Sequence, residues 1–140
     1  MDGVPTKPII LYAEDDDDDF DSLKEALEQL SDHQFLLHAR NGQEAVAFIE
    51  IADPPPCLVV LDLNMPVMDG KEVLHWLKER DKYKHIPIMV FTTSSREEDK
   101  KLCQDYGCTF FIKPTLYSEL LNVAQTILEL CEKNTANSSP

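Results

Sequence analysis

Five short runs of apolar residues recur along the chain and alternate with longer segments in which apolar residues follow a helical spacing. The runs are rich in the branched and aromatic residues that favour buried strands. They comprise Ile9 to Ala13, Phe35 to Ala39, Leu58 to Leu61, Ile86 to Phe91 and Thr109 to Ile112. Because most positions in these runs are apolar, without a polar face, they predict strands covered on both sides, as in a parallel sheet.

The segments between the runs predict helices. The apolar stripe is clearest in the last segment, where one face carries Tyr117, Leu120, Leu121, Ala124, Ile127, Leu128 and Cys131. Residues 95–106 show a thin stripe of Leu102 and Tyr106, which indicates a weakly held helix. Strand and helix repeated in turn predict an α/β fold in which five helices flank a doubly wound parallel sheet. We therefore expect an N-terminal extension at residues 1–7, one domain at 8–132 and a disordered polar tail at 133–140.

Charge and composition narrow the class of protein. The 140 residues include 13 basic and 26 acidic ones, so the formal net charge is -13. This balance argues against nucleic-acid binding and suits cationic or metal partners. No apolar segment approaches the ~20 residues of a membrane helix, and the N-terminus lacks the pattern of a signal peptide. We expect a cytoplasmic protein with no membrane contact.

The four cysteines, at positions 57, 103, 108 and 131, show no spacing typical of a disulfide framework or a zinc site. They are predicted to be free thiols that act as small apolar side chains in a reducing compartment.

Polar side chains stand at the points where four of the five predicted strands end. Glu14 and Asp15 follow the first strand, Asp62 the third, Thr92 the fourth, and Lys113 the fifth. Each has an ordinary structural alternative when taken singly. Glu14 and Asp15 could open a helix, and Asp62 could be a turn residue. Thr92 could cap a helix, and Lys113 could be a surface lysine. Because parallel strands point their carboxyl ends to one edge of the sheet, the same residues are expected to meet there.

Three carboxylates at one place need a cation. At a separation of ~5 Å and an effective dielectric constant of ~20, each pair repels by roughly 3 kcal/mol. Carboxylate oxygens favour Mg²⁺, which keeps several waters and is commonly completed by phosphate oxygens. A lysine and a hydroxyl beside one aspartate then suit phosphoryl transfer onto that aspartate.

The segments ILYAEDD, LVVLDLNMPVMDG, PIMVFTTSS and FFIKP, in this order and spacing, resemble the receiver domain of bacterial two-component response regulators. The resemblance extends over residues 8–132. It implies a flavodoxin-like sheet with the strand order 2-1-3-4-5. It also implies a signalling protein that catalyses its own phosphorylation and dephosphorylation, rather than an enzyme with a separate substrate.

The resemblance assigns a role to each acid of the site. Asp62 matches the aspartate that accepts a phosphoryl group from a histidine kinase. Glu14 and Asp15 match the acidic pair that holds Mg²⁺ together with Asp62, Asp15 directly and Glu14 through water. Asn64 matches the position whose backbone carbonyl completes the metal site.

The remaining matched positions concern the switch that follows phosphorylation. Thr92 matches the hydroxyl that moves toward the phosphoryl group, and Phe110 matches the aromatic switch position. Lys113 matches the lysine that pairs with phosphoryl oxygens. In members of the family the proline that follows this lysine, here Pro114, is often cis. Because Phe110 lacks a hydroxyl, its coupling to the site is expected to work through packing.

With no effector domain after residue 132, we expect the output to be a contact with a downstream protein. The motifs are similar to those of single-domain regulators that partner bacteriophytochrome or hybrid histidine kinases, among which homodimers are common.

Three other functions remain open at this stage. A phosphorelay intermediate, which passes its phosphoryl group to a histidine phosphotransfer protein, would use the same residues. A metal-dependent phosphatase would place a second acid two residues after its nucleophile, where this chain has Asn64. A degenerate receiver that serves only as a scaffold does not need the set Asp15, Asp62, Thr92 and Lys113.

If the chain is a receiver domain, the run of acids after the first strand contains two groups with different roles. Glu14 and Asp15 are predicted to be functional, whereas Asp16 matches no ligand position. Asp17 to Asp19 and Asp21 are expected to open and solvate the first helix.

Overall fold

A computed structural model describes residues 7–137 of the protein, with the backbone alone for residues 136 and 137. Strands and helices alternate along the chain. The strands are β1 (Ile9–Ala13), β2 (Phe35–Ala39), β3 (Leu58–Leu61), β4 (Ile88–Thr92) and β5 (Thr109–Ile112). The helices are α1 (Asp17–Leu30), α2 (Gly42–Ile51), α3 (Gly70–Lys78), α4 (Glu97–Asp105) and α5 (Tyr117–Asn137).

All strand pairs are parallel, and the strands lie in the order β2-β1-β3-β4-β5. This order and the alternation of elements confirm the predicted flavodoxin-like, doubly wound α/β fold.

Two apolar layers cover the sheet. On one face, Ile10, Tyr12 and Val60 pack with the buried residues of α1 and α5. On the other face, Leu11 and Val59 pack with residues of α2 and α3. Successive residues of a strand point to opposite faces of the sheet. In the central strands the side chains on both faces are apolar and buried, so these strands are covered on both sides. Among residues 7–137, no helix combines the length and the apolar character needed to cross a membrane.

The start of α3 lies directly against the end of β3. A Cβ atom added to Gly70 would approach the carbonyl oxygen of Asp62 to 2.2 Å, so only glycine fits this position. The Gly70 N–H donates to the carbonyl of Leu63 at 3.2 Å. Asp69 caps the helix in a reciprocal capping box with Glu72. The loop that carries Asp62 is therefore anchored on α3.

Helix α4 has few apolar contacts, as its thin stripe predicts. Its buried residues are Asp99 and Cys103. The helix ends in a Schellman motif, in which Gly107 adopts a φ of 72° and the Cys108 N–H donates to the carbonyl of Cys103 at 2.9 Å. The C-terminal end of α4 is thus fixed by backbone bonds, while its first turn is held by polar contacts.

Three local expectations differ from the structure. The fourth strand begins at Ile88 instead of Ile86, because the Ile86 N–H donates to Tyr83 in the preceding turn. Helix α5 continues to Asn137, beyond the boundary expected at residue 132, and the Thr135 hydroxyl donates to the Cys131 carbonyl at 2.8 Å. The cis peptide bond in the described part of the chain joins Asp53 and Pro54, so the cis proline that is frequent in the family after this lysine is not found at Pro114. Residues 1–6 and 138–140, which fall in the expected extension and tail, lie outside the described range.

The prediction of free thiols is wrong for two of the cysteines. Cys57, just before β3, and Cys131 on α5 form a disulfide across a sequence separation of 74 residues. Packing of α5 on the sheet brings them together, which spacing along the chain does not reveal. Cys103 and Cys108 are free.

We expect Cys131→Ser to lower the free energy of unfolding by about 2–4 kcal/mol, because a crosslink that closes a long loop restricts the unfolded chain. Urea denaturation with and without reductant measures this difference. Reductant should destabilise the wild type and leave the variant unchanged. Four reactive thiols in the unfolded, unreduced wild type would contradict the disulfide.

Candidate functional site

The polar residues that follow the strands meet at the carboxyl edge of the sheet, as predicted. Neighbouring strand ends are tied by backbone bonds from Asp62 N–H to the Ala13 carbonyl at 3.1 Å and from Lys113 N–H to the Thr92 carbonyl at 2.8 Å. These bonds continue the strand register beyond the last apolar residue. They hold the end of β3 beside that of β1, and the end of β5 beside that of β4.

Glu14, Asp15 and Asp62 form a carboxylate cluster. Each offers an oxygen atom, and these atoms lie within 4.8 Å of one another. Glu14 and Asp62 are buried, whereas Asp15 is exposed to solvent. Oxygen donors of negative charge, with one side open to water, suit a hard divalent cation that retains part of its hydration shell. The residues therefore fit a divalent metal ion.

Lys113 supplies the positive charge among these acids. Its Nζ donates to Glu14 Oε1 at 2.5 Å, to Asp19 Oδ2 at 2.7 Å and to Asp62 Oδ2 at 3.2 Å. Burial of the ammonium disfavours its charge, but the hydrogen bonds and charges of the three carboxylates outweigh burial and raise the pKa of Lys113. The side chain therefore remains charged and crosslinks three elements of the fold.

Glu14 is held by bonds to both of its carboxylate oxygens. The Tyr12 hydroxyl donates to Oε1 at 3.0 Å, and the Asp16 N–H donates to Oε2 at 3.1 Å. With the side chain 1% exposed, burial raises the pKa of Glu14 to about 7, although Lys113 lowers it. Because protein groups already bond to both of its oxygen atoms, the Glu14 carboxylate has a fixed orientation.

Asp19 was expected only to open and solvate the first helix. It does lie in the first turn of α1, but its carboxylate also contacts Lys113. Side chains on a helix tilt toward its N-terminus, so a first-turn residue of α1 reaches back over the strand ends. Asp16 is the N-cap of α1 and accepts the Asp19 N–H at 3.0 Å. Asp17 pairs with Arg40. No sequence signal distinguished Asp19 from the other acids of its run, or Tyr12 from the apolar residues of its strand.

The other predicted site residues differ in how far they are buried. Thr92 is fully buried, and its Oγ1 accepts the Ser94 N–H at 3.3 Å. The Asn64 N–H donates to Asp62 Oδ1 at 3.2 Å, and the Asn64 side chain is exposed. Phe110 is half-buried and packs against the apolar cluster of Leu63, Val90 and Cys103, not against the carboxylates.

Comparisons with known proteins agree with this geometry. The sequence profile of the response regulator receiver domain matches residues 10–125. Response regulator Rcp1 of Synechocystis sp. is 38% identical over 97 residues, which span 65% of this chain and 65% of that protein.

Solved structures with the same fold include two regulators. The phosphorylated cyanobacterial phytochrome response regulator RcpA superposes with a TM-score of 0.78 at 30% identity, covering 89% of this chain and 93% of that one. The Mn²⁺-bound form of Rcp1 gives a TM-score of 0.77 at 32% identity, covering 86% and 91%. The bound phosphoryl group and metal are properties of those proteins.

We expect Lys113→Met to raise the pKa of Glu14 above its value of about 7, because the lysine stabilises the charged carboxylate. A ¹³C NMR titration of the Glu14 carboxyl group, without divalent cations, measures this change. Lys101→Met is the matched control, since Lys101 is exposed and pairs with Asp105 on α4. An unchanged or lowered pKa in Lys113→Met would contradict the assigned role of the lysine.

Proposed function

The chain belongs to the family of response regulator receiver domains, and we propose that it accepts a phosphoryl group on Asp62 from a histidine kinase. The observation that carries the proposal is the setting of Asp62. This buried carboxylate lies beside the acids Glu14 and Asp15 and also bonds to the ammonium of Lys113. A nucleophilic carboxylate that contacts an ammonium group and lies beside metal-binding oxygens is suited to phosphoryl transfer.

In the proposed reaction, an oxygen of Asp62 attacks the phosphorus of a phosphohistidine. The new P–O bond forms as the P–N bond breaks, and the electron pair of that bond stays with the histidine nitrogen. The Asn64 N–H and Lys113 orient the Asp62 carboxylate through bonds to different oxygens. Lys113 then neutralises the negative charge that arrives with the phosphoryl oxygens.

We assign Mg²⁺ to the carboxylate cluster as the cation of the reaction. Asp15 and Asp62 would hold the ion directly, Glu14 through water, and the Asn64 backbone carbonyl would complete the set. When bound, Mg²⁺ supplies positive charge to the phosphoryl oxygens and offsets the repulsion among the acids. The contacts of Glu14 with Tyr12, Asp16 and Lys113 support the indirect role of this residue.

Phosphorylation is proposed to act through Thr92 and Phe110. The Thr92 hydroxyl turns toward the phosphoryl group. Phe110 on β5 packs beside Val90 of β4, the strand that carries Thr92, and repacks with it. Such a change biases an equilibrium between two arrangements only through contacts that differ between them. The apolar residues Ile112, Leu116 and Tyr117 are exposed near the start of α5 and offer a surface for a downstream protein or a second copy of the chain.

The kinase partner is proposed to be a phytochrome-type or hybrid histidine kinase. This proposal rests on the similarity to RcpA, a phytochrome response regulator. We place the reaction in the cytoplasm, where the kinase domain of a two-component system acts.

Asp62→Asn should abolish phosphorylation, because the amide lacks a nucleophilic oxygen anion. Purified protein is incubated with acetyl phosphate and Mg²⁺, and intact-mass spectrometry detects the added phosphoryl group. Asp105→Asn, which removes an exposed acid from α4, is the control and should be labelled like the wild type. Equal labelling of Asp62→Asn would refute the assignment of the acceptor.

Asp15→Asn should weaken Mg²⁺ binding at least about tenfold, since it removes a charged ligand from the site. Isothermal titration calorimetry measures the affinity. Asp18→Asn makes the same change of charge three residues further along the acidic run, at an exposed position of α1, and should leave the affinity nearly unchanged. Equal losses in both variants would mean that net charge, rather than coordination, attracts the cation.

A further inference from the structure

A second buried acid lies outside the carboxylate cluster. Asp99, in the first turn of α4, is 2% exposed. Its Oδ1 lies 3.0 Å from Lys71 Nζ, and its Oδ2 accepts hydrogen bonds from the Ser94 hydroxyl at 2.6 Å and from Arg96 Nε at 3.3 Å. Burial opposes the charge of this carboxylate, but these three partners outweigh burial and lower the pKa of Asp99. We call Lys71, Ser94, Arg96 and Asp99 the Asp99 clamp.

The clamp replaces the usual cap of a helix. Arg96 is the N-cap of α4 and makes no side-chain capping bond. Instead, the Arg96 N–H donates to Ser94 Oγ at 3.3 Å, and that hydroxyl in turn donates to Asp99. The loop between β4 and α4 is therefore fixed through Ser94 onto a buried carboxylate.

The clamp also joins the two loops that carry the proposed phosphorylation site. On one side, Lys71 follows Gly70, which packs against the backbone of Asp62. On the other side, the Ser94 N–H donates to Thr92 Oγ1 at 3.3 Å. A connected set of bonds thus runs from the start of α3, through Asp99, to the hydroxyl of Thr92.

We propose that the Asp99 clamp holds Thr92 against its own loop and thereby limits how readily the site engages a phosphoryl group, with Asp99 as a positioning residue. The inference rests on the proposed function of Asp62. In the proposed switch the Thr92 hydroxyl turns toward Asp62, which follows the neighbouring strand β3. It thereby leaves the Ser94 N–H, and the loop that follows Thr92 shifts. Ser94 cannot shift freely, because Asp99 holds its hydroxyl and Lys71 ties that carboxylate to α3.

The clamp opposes binding of a phosphoryl group only to the extent that its bonds are lost when Thr92 turns toward that group. Two features make that loss significant. Asp99 is buried, so water does not replace its partners easily, and Lys71 is 33% exposed, so the pair is only partly screened by solvent. By contrast, the Lys101 and Asp105 pair at the other end of α4 is exposed and lies outside this set of bonds.

The test compares binding of beryllofluoride, a mimic of the phosphoryl group, at saturating Mg²⁺. Asp99→Asn keeps the shape of the side chain and removes its charge. We expect it to tighten beryllofluoride binding at least about fivefold, the lower range of coupling between sites. Affinity for Mg²⁺ alone should stay unchanged, because the proposed metal ligands lie outside the clamp. Asp105→Asn is the matched control and should change neither affinity.

Lys71→Gln provides a second variant if Asp99→Asn does not fold, as judged by thermal melting. It should also tighten beryllofluoride binding, and the double variant should gain less than the sum of the two effects, since both remove one interaction. Unchanged or weaker beryllofluoride binding in the folded variants would overturn the inference. A parallel fall in Mg²⁺ affinity would also overturn it, because it would show a general structural role.

A different result would count against the proposed function itself. Wild-type protein that does not bind beryllofluoride, or Asp62→Asn that binds it equally well, would remove Asp62 as the acceptor. Neither result depends on the clamp, so the two failures are distinguishable.

Discussion

The contact of one lysine with three carboxylates is the interaction on which the rest of the site depends. Lys113 reaches Glu14 after β1, Asp19 on α1 and Asp62 after β3. Buried carboxylates are costly unless a partner compensates for lost hydration. That partner follows β5, an edge strand that β3 and β4 separate from β1, so the site depends on the strand order. Burial of these acids therefore depends on the fold, because only the folded sheet brings Lys113 to them.

The two apolar layers and the polar loops have different roles. Layers of side chains on both faces hold β1 and β3 rigidly, and the close approach of Gly70 to Asp62 extends this rigidity to one loop of the site. Helix α4 is different, because polar bonds to Asp99 replace much of its apolar packing. Packed side chains leave cavities when they move, whereas the first turn of α4 is restrained mainly by the polar bonds of the Asp99 clamp, whose loss is costly unless new partners replace them. Movement in response to a new charge is thus expected at α4 and the loop before it.

Much of the fold and part of the site follow from local pattern. Apolar runs located the five strands, because burial on both faces leaves few places for polar residues. The polar residues at the ends of four strands then pointed to Glu14, Asp15, Asp62, Thr92 and Lys113, since parallel strands share one direction. Boundaries were less predictable. Ile86 belongs to a turn although its side chain is as apolar as those of the strand, and α5 continues through polar residues that carried no apolar stripe.

The sequence by itself determined the strands, their alternation with helices and the set of polar residues at one edge of the sheet, because each depends on residue type and short-range spacing. Tertiary structure alone decided which acids share Lys113, which cysteines pair and that Asp99 is buried among Lys71, Ser94 and Arg96. These contacts join residues on different elements or select one acid from a run of similar ones. Their existence depends on distances in the folded chain, and neither composition nor periodicity records those distances.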